Sequence, residues 1–452
     1  MIKRQIYFFA VIFLFGIISV PVWAENLNIK FDVEKFTLKN GLTVLLHEDH
    51  SIPMISYHTW YRVGSRDEKI GVTGAAHMLE HMMFKGAKKY TGKQFENILH
   101  ENGIQNNAFT TDDYTGFYEN LPSAKLELIM DVEVDRMKDL ALHPEDLVSE
   151  LQVVGEERRW RVDNNPTSLL REVLMDSLFT VHPYHWPTIG YMKDIQVYTV
   201  DKLRHFYETF YVPNNAVLVI AGDINIPKTK ALVEKYYGSL KSKDLPIRKY
   251  PQEPELNQSK KVVTQGEVQN TTVSMAYKGV KVGDPDSYPL DLLAGILGSG
   301  TSSRLYKKLV YEAQKSTQVG SFNSTSADPG YIMLTASMIP GQGSGLAEKY
   351  FDAEIEKLQK KPVTLAELLK AKNQVMKDFV DGLLTIDGKA ESLAINEIIT
   401  GDYRSLFKDL EKYQAVSASD IQRVAKQYLV PGRRVIAILN PTTTPAGKST
   451  NQ

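Results

Sequence analysis

The sequence predicts a duplicated fold: two domains of similar design, each mixing strands with helices, with the chemistry kept in the first. Three observations carry this. Tyr211-Val212-Pro213-Asn214-Asn215 leads into the apolar run Ala216 to Ala221, and Tyr428-Leu429-Val430-Pro431-Gly432 leads into Val435 to Leu439. The two prolines lie 218 residues apart, and each turn follows a helix that starts near an aspartate, Asp201 or Asp420. Self-similarity at one offset is the mark of duplication. A charged stretch with Pro246, Pro251 and Pro254 separates the copies and reads as a linker over 241–261. All ten histidines lie at or before His205, so the last 247 residues hold none. A histidine-based metal site can exist only in the first copy.

The elements follow in order. Lys3 and Arg4 open a basic start, and an apolar run extends from Ile6 to Val20. With Val22-Trp23-Ala24 after it, residues 1–24 read as a secretory signal cleaved after Ala24. The run is shorter than the roughly 20 residues of a membrane span, and an uncleaved anchor is the alternative. A mitochondrial transit peptide would be amphipathic and Arg-rich, and this segment is neither. Residues 25–240 then form the first domain. Asn40-Gly41 between β-prone runs predicts a two-residue hairpin. Ile55 to Val63 predicts a strand, Gly74 to Phe84 a helix, and Thr91 to His100 a short helix ended by Gly103. Phe109 to Asn120 predicts a strand and Ser123 to Leu140 a long helix. Another helix opens with Pro144 in its first turn and runs to about Val162. Residues 262–440 form the second domain, and the Thr/Pro/Ser-rich end, 441–452, predicts a disordered tail.

Composition narrows the function. The chain has 452 residues, 43% hydrophobic and 24% charged, which suits a packed globular protein. Its net charge is −1; removing the two basic residues of the leader gives −1 − 2 = −3. A near-neutral chain gives no reason to expect nucleic acid as a partner. There is no cysteine, so disulfides are excluded and any metal must be held by His, Asp or Glu.

His77-Met78-Leu79-Glu80-His81 supplies such a set. On a helix, His77 and His81 share one face one turn apart, and both imidazoles can reach a single zinc ion. Glu80 borders that face and is placed to take a proton from a zinc-bound water, then deliver it to the leaving amine. This order of residues is the inverzincin signature. A catalytic zinc needs a third protein ligand and an open position. The helix from Pro144 offers Glu150, Glu156 and Glu157. Glu150 and Glu157 are two turns apart on nearly one face, whereas Glu156 points about 100° away. Glu157 is the expected ligand, with Glu150 orienting an imidazole.

These residues resemble the pitrilysin, insulin-degrading enzyme and mitochondrial processing peptidase family. Gly74-Ala75-Ala76-His77-Met78-Leu79-Glu80-His81-Met82-Met83-Phe84-Lys85-Gly86 is similar to the family's motif throughout, and Glu150-Leu151-Gln152-Val153-Val154-Gly155-Glu156-Glu157 to its distal segment. The resemblance implies two α+β domains, each a mostly antiparallel sheet packed with helices, and a zinc endopeptidase acting on peptides or unfolded segments. It implies that Glu157 binds zinc, that Glu150 assists, and that Asn107, Ala108 and Phe109 lie on a substrate-binding edge strand. It also implies a dimer. Members that cleave alone usually carry an Arg and a Tyr in the second domain; here Val310 and Thr317 stand at those positions, with Arg304 and Tyr311 out of register. That departure implies a heterodimer in which a related subunit lends those groups; a loose alignment is the alternative.

The remaining candidates are weaker. His58, His100 and His143 read as structural. His182 and His185 sit in a Pro-rich aromatic loop, either a rigid surface loop or a wall of the substrate site. Gly298-Ser299-Gly300 lacks a following Lys-Ser/Thr and is a turn, not a phosphate loop. The leading expectation is peptide hydrolysis in the bacterial periplasm; a scaffold subunit without turnover is the competing class.

Overall fold

A computed structural model describes residues 30–442. The expected leader and all but the first two residues of the expected tail lie outside them. Both sheets belong to one compact unit that begins at Asp32.

The first sheet holds β1 (Glu34–Thr37), β2 (Thr43–Glu48), β3 (Met54–Tyr61), β4 (Gln105–Thr110), β5 (Thr115–Pro122) and β6 (Ala216–Gly222), in the order β1-β2-β6-β3-β5-β4. The second holds β7 (Lys260–Gly266), β8 (Thr272–Lys278), β9 (Ser316–Ser324), β10 (Tyr331–Met338) and β11 (Arg434–Pro441), in the order β7-β11-β8-β10-β9. The second sheet matches the first strand for strand apart from β1, which has no counterpart. In each, the last strand pairs parallel with the first of the shared set (β6 with β2, β11 with β7), and every other pairing among these strands is antiparallel. The repeated Val-Pro turn, Val212-Pro213 and Val430-Pro431, marks the entry to β6 and β11.

The first-half helices are α1 (Ala75–Met82), α2 (Gly92–Glu101), α3 (Leu126–Lys138), α4 (Pro144–Arg158), α5 (Pro166–Leu178), α6 (Met192–Ile195), α7 (Val200–Phe210) and α8 (Ile226–Tyr237). The second half adds α9 (Ser287–Gly298), α10 (Ser344–Lys360), α11 (Leu365–Gly382), α12 (Ile386–Thr400), α13 (Ser405–Ala415) and α14 (Ala418–Tyr428). Each sheet buries one face on its own helices. The first core gathers Tyr57, Met78, Leu79, Phe117, Ile129 and Ile220, and the second gathers Met275, Leu293, Ile332, Phe351 and Ile436. Burying one such side chain contributes about 1.5–3 kcal/mol.

The other face of each sheet is covered by a helix from the opposite half. Leu170, Leu174 and Leu178 of α5 pack on Ala276, Ala437 and Leu439 of the second sheet. Reciprocally, Asp387 at the start of α12 accepts hydrogen bonds from Ser56 Oγ (2.9 Å) and Asn120 Nδ2 (3.2 Å) of the first. His58 Nδ1 accepts from Trp60 Nε1 at 3.2 Å, so its proton sits on Nε2, 3.2 Å from the same carboxylate. His58 is thus structural, as the sequence suggested.

Several boundaries differ from the sequence reading. Phe109 to Asn120 is not one strand: Thr111 Oγ1 accepts from the amides of Asp113 (3.2 Å) and Tyr114 (3.0 Å), and this turn splits it into β4 and β5. The first hairpin has a longer loop than two residues. Gly41 sits at φ +87°, but Asn40 is buried, its Nδ2 donating to the carbonyls of Tyr237 (2.8 Å) and Leu240 (3.0 Å). That tertiary demand displaces the tight turn. The long helix expected from Ser123 starts as a single 3₁₀ turn, and α3 proper begins at Leu126. β7 begins at Lys260, two residues inside the expected linker, and Pro441 ends β11 rather than opening the tail.

Candidate metal centre

α1 is fixed before its histidines begin. Gly74, just ahead of it, has φ +87°, and a Cβ there would lie 2.4 Å from the Ile189 carbonyl oxygen, so only glycine fits. The helix has no side-chain cap of its own. Instead, buried Glu68 accepts from the amides of Gly74 (2.6 Å) and Ala76 (2.9 Å), satisfying groups a helix start leaves unpaired. α4 packs against α1, with Leu147, Glu150, Val154 and Arg158 buried. Pro144 opens it without losing a hydrogen bond.

The packing brings the predicted residues together. The imidazole centroids of His77 and His81 are 4.9 Å apart. His77 Nε2 lies 3.7 Å from Glu157 Oε1, and His81 Nε2 lies 3.2 Å from Glu157 Oε2. One donor atom from each of the three residues falls within 4.8 Å of the others. Four-coordinate zinc with bonds of 2.0–2.1 Å spaces its ligands about 3.4 Å apart, so the donor set and its size fit that ion.

Neighbours hold the ligands in place. Glu150 Oε2 accepts from His81 Nδ1 at 2.9 Å, so that the neutral ring would present Nε2 as the lone-pair nitrogen. Lys85 Nζ sits 2.5 Å from the other oxygen of Glu150, and Arg161 Nη1 lies 2.8 Å from Glu157 Oε1. Burial disfavours a charged His77 and brings its pKa down to about 4, so that ring is neutral and ready to ligate. Burial also works against a charged His81, but hydrogen bonds to Glu150 and Glu157 outweigh it and lift the ring to about 9. A charged ring with Nδ1 facing Glu150 and Nε2 facing Glu157 marks a place built for positive charge.

Glu80 stands apart from the ligand triangle. Burial raises its carboxyl, while the hydrogen bond from Thr110 Oγ1 at 2.6 Å acts the other way. Thr110 is on β4, the edge strand of the sheet, which therefore runs beside α1. Alternation along β4 then sends Ala108 towards α1 and Asn107 and Phe109 to the opposite face. Asn107 is exposed, and its Oδ1 accepts from the amide of Ala108 at 2.9 Å. Phe109 packs edge-on to Trp60, with centroids 5.0 Å apart. The Phe109 ring is thus turned away from the metal helix, while its backbone stays on the edge strand. What β4 offers near the metal is unpaired backbone.

Sequence reasoning missed Thr110 and Arg161. Arg161 was findable, since it follows Glu157 by four residues; Thr110 depends on a contact between elements. Glu156 is exposed and pairs with Arg159, as its position on the helix implied. His182 is buried with Nε2 3.3 Å from Asp328, and His185 Nδ1 lies 2.9 Å from the His182 carbonyl. Val310 packs partly against the second core and Thr317 is exposed, so neither position carries a guanidinium or phenol.

A duplicated two-sheet α+β chain with a His, His, Glu centre beside one sheet edge defines a class of metal-dependent peptidase architecture. The chain belongs to peptidase family M16, the insulinase family. The family described as "Insulinase (Peptidase family M16)" matches residues 43–190, and "Peptidase M16 inactive domain" matches residues 198–375. The zinc protease PqqE of Helicobacter pylori is 32% identical over 413 residues, 90% of this chain and 93% of that one. An uncharacterized zinc protease of Bacillus subtilis, YmxG, is 25% identical over 410 residues, 91% of this chain and 98% of that one. The crystal structure of a protease from Helicobacter pylori superposes with a TM-score of 0.86 at 32% identity, covering 91% of this chain and all of that one.

Proposed function

We propose that the chain is a zinc-dependent endopeptidase acting on peptides or unfolded polypeptide segments, with His77, His81 and Glu157 as metal ligands. The observation that carries this is the converging triangle of two Nε2 atoms and one carboxylate, with a separate half-buried carboxyl, Glu80, at its border. Zinc held there supplies Lewis acidity that polarises a carbonyl and lowers the pKa of water towards about 7. Glu80 accepts the proton of the attacking water and passes it to the leaving amine, its raised affinity for a proton suiting both steps. Glu150 fixes the tautomer and orientation of His81. The exposed backbone of β4 at Asn107 and Ala108 pairs with an extended peptide, which binds many sequences through main-chain hydrogen bonds.

The test is direct. The purified chain should hydrolyse denatured protein or quenched peptides, lose the activity to a chelator, and regain it with zinc. Activity that survives complete metal removal would overturn the reading.

A second reading concerns assembly and location. The absence of Arg and Tyr at Val310 and Thr317 favours a heterodimer in which a related subunit supplies those groups. Mixing the two subunits should raise turnover well above that of the single chain; equal rates would exclude it. The basic-then-apolar leader favours export to the periplasm, which N-terminal sequencing of the secreted fraction would establish by a start at Glu25. No helix among the described residues is long and apolar enough to cross a membrane.

A further inference from the structure

Beside the metal centre lies a cleft of about 320 Å³ with walls from both halves. Its lining is partly aromatic: Phe179, Tyr184, Trp186 and Tyr331. Two guanidinium groups, Arg161 and Arg171, also line it. The halves meet here firmly. Asp328 accepts from Arg66 Nη1 at 3.1 Å, its amide donates to Tyr184 Oη at 3.1 Å, and the Ala327 amide donates to Asp113 at 2.8 Å. The cleft is therefore a built feature of the interface.

Its charges are unevenly matched. Asp112, also on the wall, is desolvated, with its carboxyl raised, and is held by Ser65 Oγ (3.0 Å) and Thr188 Oγ1 (3.1 Å). Glu172 is engaged by Arg158 at 3.0 Å. Arg171 is exposed and reaches over the Tyr331 ring at 6.0 Å; it makes no close ion pair among the described residues, its charge acting on Asp112 only through space. Arg161 joins the cleft to the metal centre: one nitrogen is 2.8 Å from Glu157, and the rest of its side chain lines the wall. Two forked donors beside aromatic rings recognise a planar anion with a short hydrophobic stem.

Resting on the peptidase reading, we propose that this cleft is a specificity subsite for a substrate carboxylate, with Arg171 as its principal contact and Arg161 as the second. The carboxylate is either an Asp or Glu side chain near the scissile bond or the free C-terminus of a peptide. The volume admits one or two residues.

The experiment uses the zinc-loaded full chain, with its partner subunit if turnover needs one. Quenched peptides differing only by Glu or Gln are walked across four positions on each side of the cut, each with a free or an amidated C-terminus. The subsite predicts that kcat/KM favours the carboxylate form by roughly tenfold to a hundredfold at one position or at the terminus. Glu/Gln sensitivity assigns a side chain, and amide sensitivity assigns the terminus. In Arg171→Gln that ratio falls towards one, and in Arg171→Glu it inverts. Because Arg171 is exposed, these variants should keep the wild-type melting temperature, and the ratio cancels any general loss of activity. Turnover of all peptides with no carboxylate preference, or a preference unchanged in both variants, overturns the subsite while leaving the peptidase reading intact. No turnover of any peptide defeats the peptidase reading itself, and the subsite with it.

Discussion

The two halves share one sheet order, yet treat the same place differently. In the first, α1 and α4 meet beside the edge strand β4 and present His77, His81, Glu150 and Glu157. In the second, α9 and α11 flank the matching edge strand β9, and no histidine is available. The polar groups there are spent on one another. Glu367 of α11 takes a two-point hydrogen bond from Arg304, at 2.7 and 3.1 Å, and Asp291 of α9 accepts from Tyr413 Oη at 2.6 Å and Asn323 at 2.9 Å. The scaffold alone therefore does not make a metal site. It places two helices against an edge, and side-chain identity decides whether they converge on an ion or on each other.

Four changes break or sharpen this comparison. The largest effect is expected from Glu80→Gln, which keeps the shape and removes the proton acceptor. Turnover should fall about 10²- to 10⁴-fold with zinc content unchanged, measured by steady-state kinetics and elemental analysis. Second is Asp291→Asn in the other half. Burial raises this carboxyl to about 6 from 3.8, so the fold binds a proton more tightly than the unfolded chain does. Stability from that group is present below about pH 4 and lost as pH rises to about 6. The variant should therefore gain stability at pH 8, by at most about 3 kcal/mol, and show no gain at pH 4. Urea titrations at the two pH values check it, and a pH-independent difference would contradict the burial argument.

Third is Glu150→Gln, which weakens the group holding His81 Nδ1. Zinc affinity should drop about 10- to 100-fold in chelator competition, with the fold intact. The smallest effect belongs to Glu367→Gln, the matching helix of the second half. Its part-exposed ion pair should contribute no more than about 1 kcal/mol, and zinc content should not move. Loss of metal in that variant would mean the second half is not chemically silent.

The sequence made the chemistry unusually legible. His-x-x-Glu-His has one geometry on a helix, and the seven-residue spacing of Glu150 and Glu157 selected the facing carboxylates without any contact map. The duplication was legible because a Val-Pro turn precedes the matching interior strand of each sheet. Contacts between elements were not. The turn at Thr111 depends on a hydroxyl capping two amides, which reads like ordinary strand sequence. Nothing in α5 or α12 announces that each covers the other half's sheet, since an amphipathic helix does not name its partner. Family likeness placed Phe109 on the edge strand, but the contact of its ring with Trp60 depends on alternation along β4.

The central claim is that one divalent ion is held by His77, His81 and Glu157 and that the second half holds none. Anomalous diffraction at the zinc edge from crystals of the zinc-loaded chain tests this most directly. The account predicts a single peak per chain, bonded to both Nε2 atoms and the Glu157 carboxylate. A peak between α9 and α11, or none at the histidine pair, would contradict it.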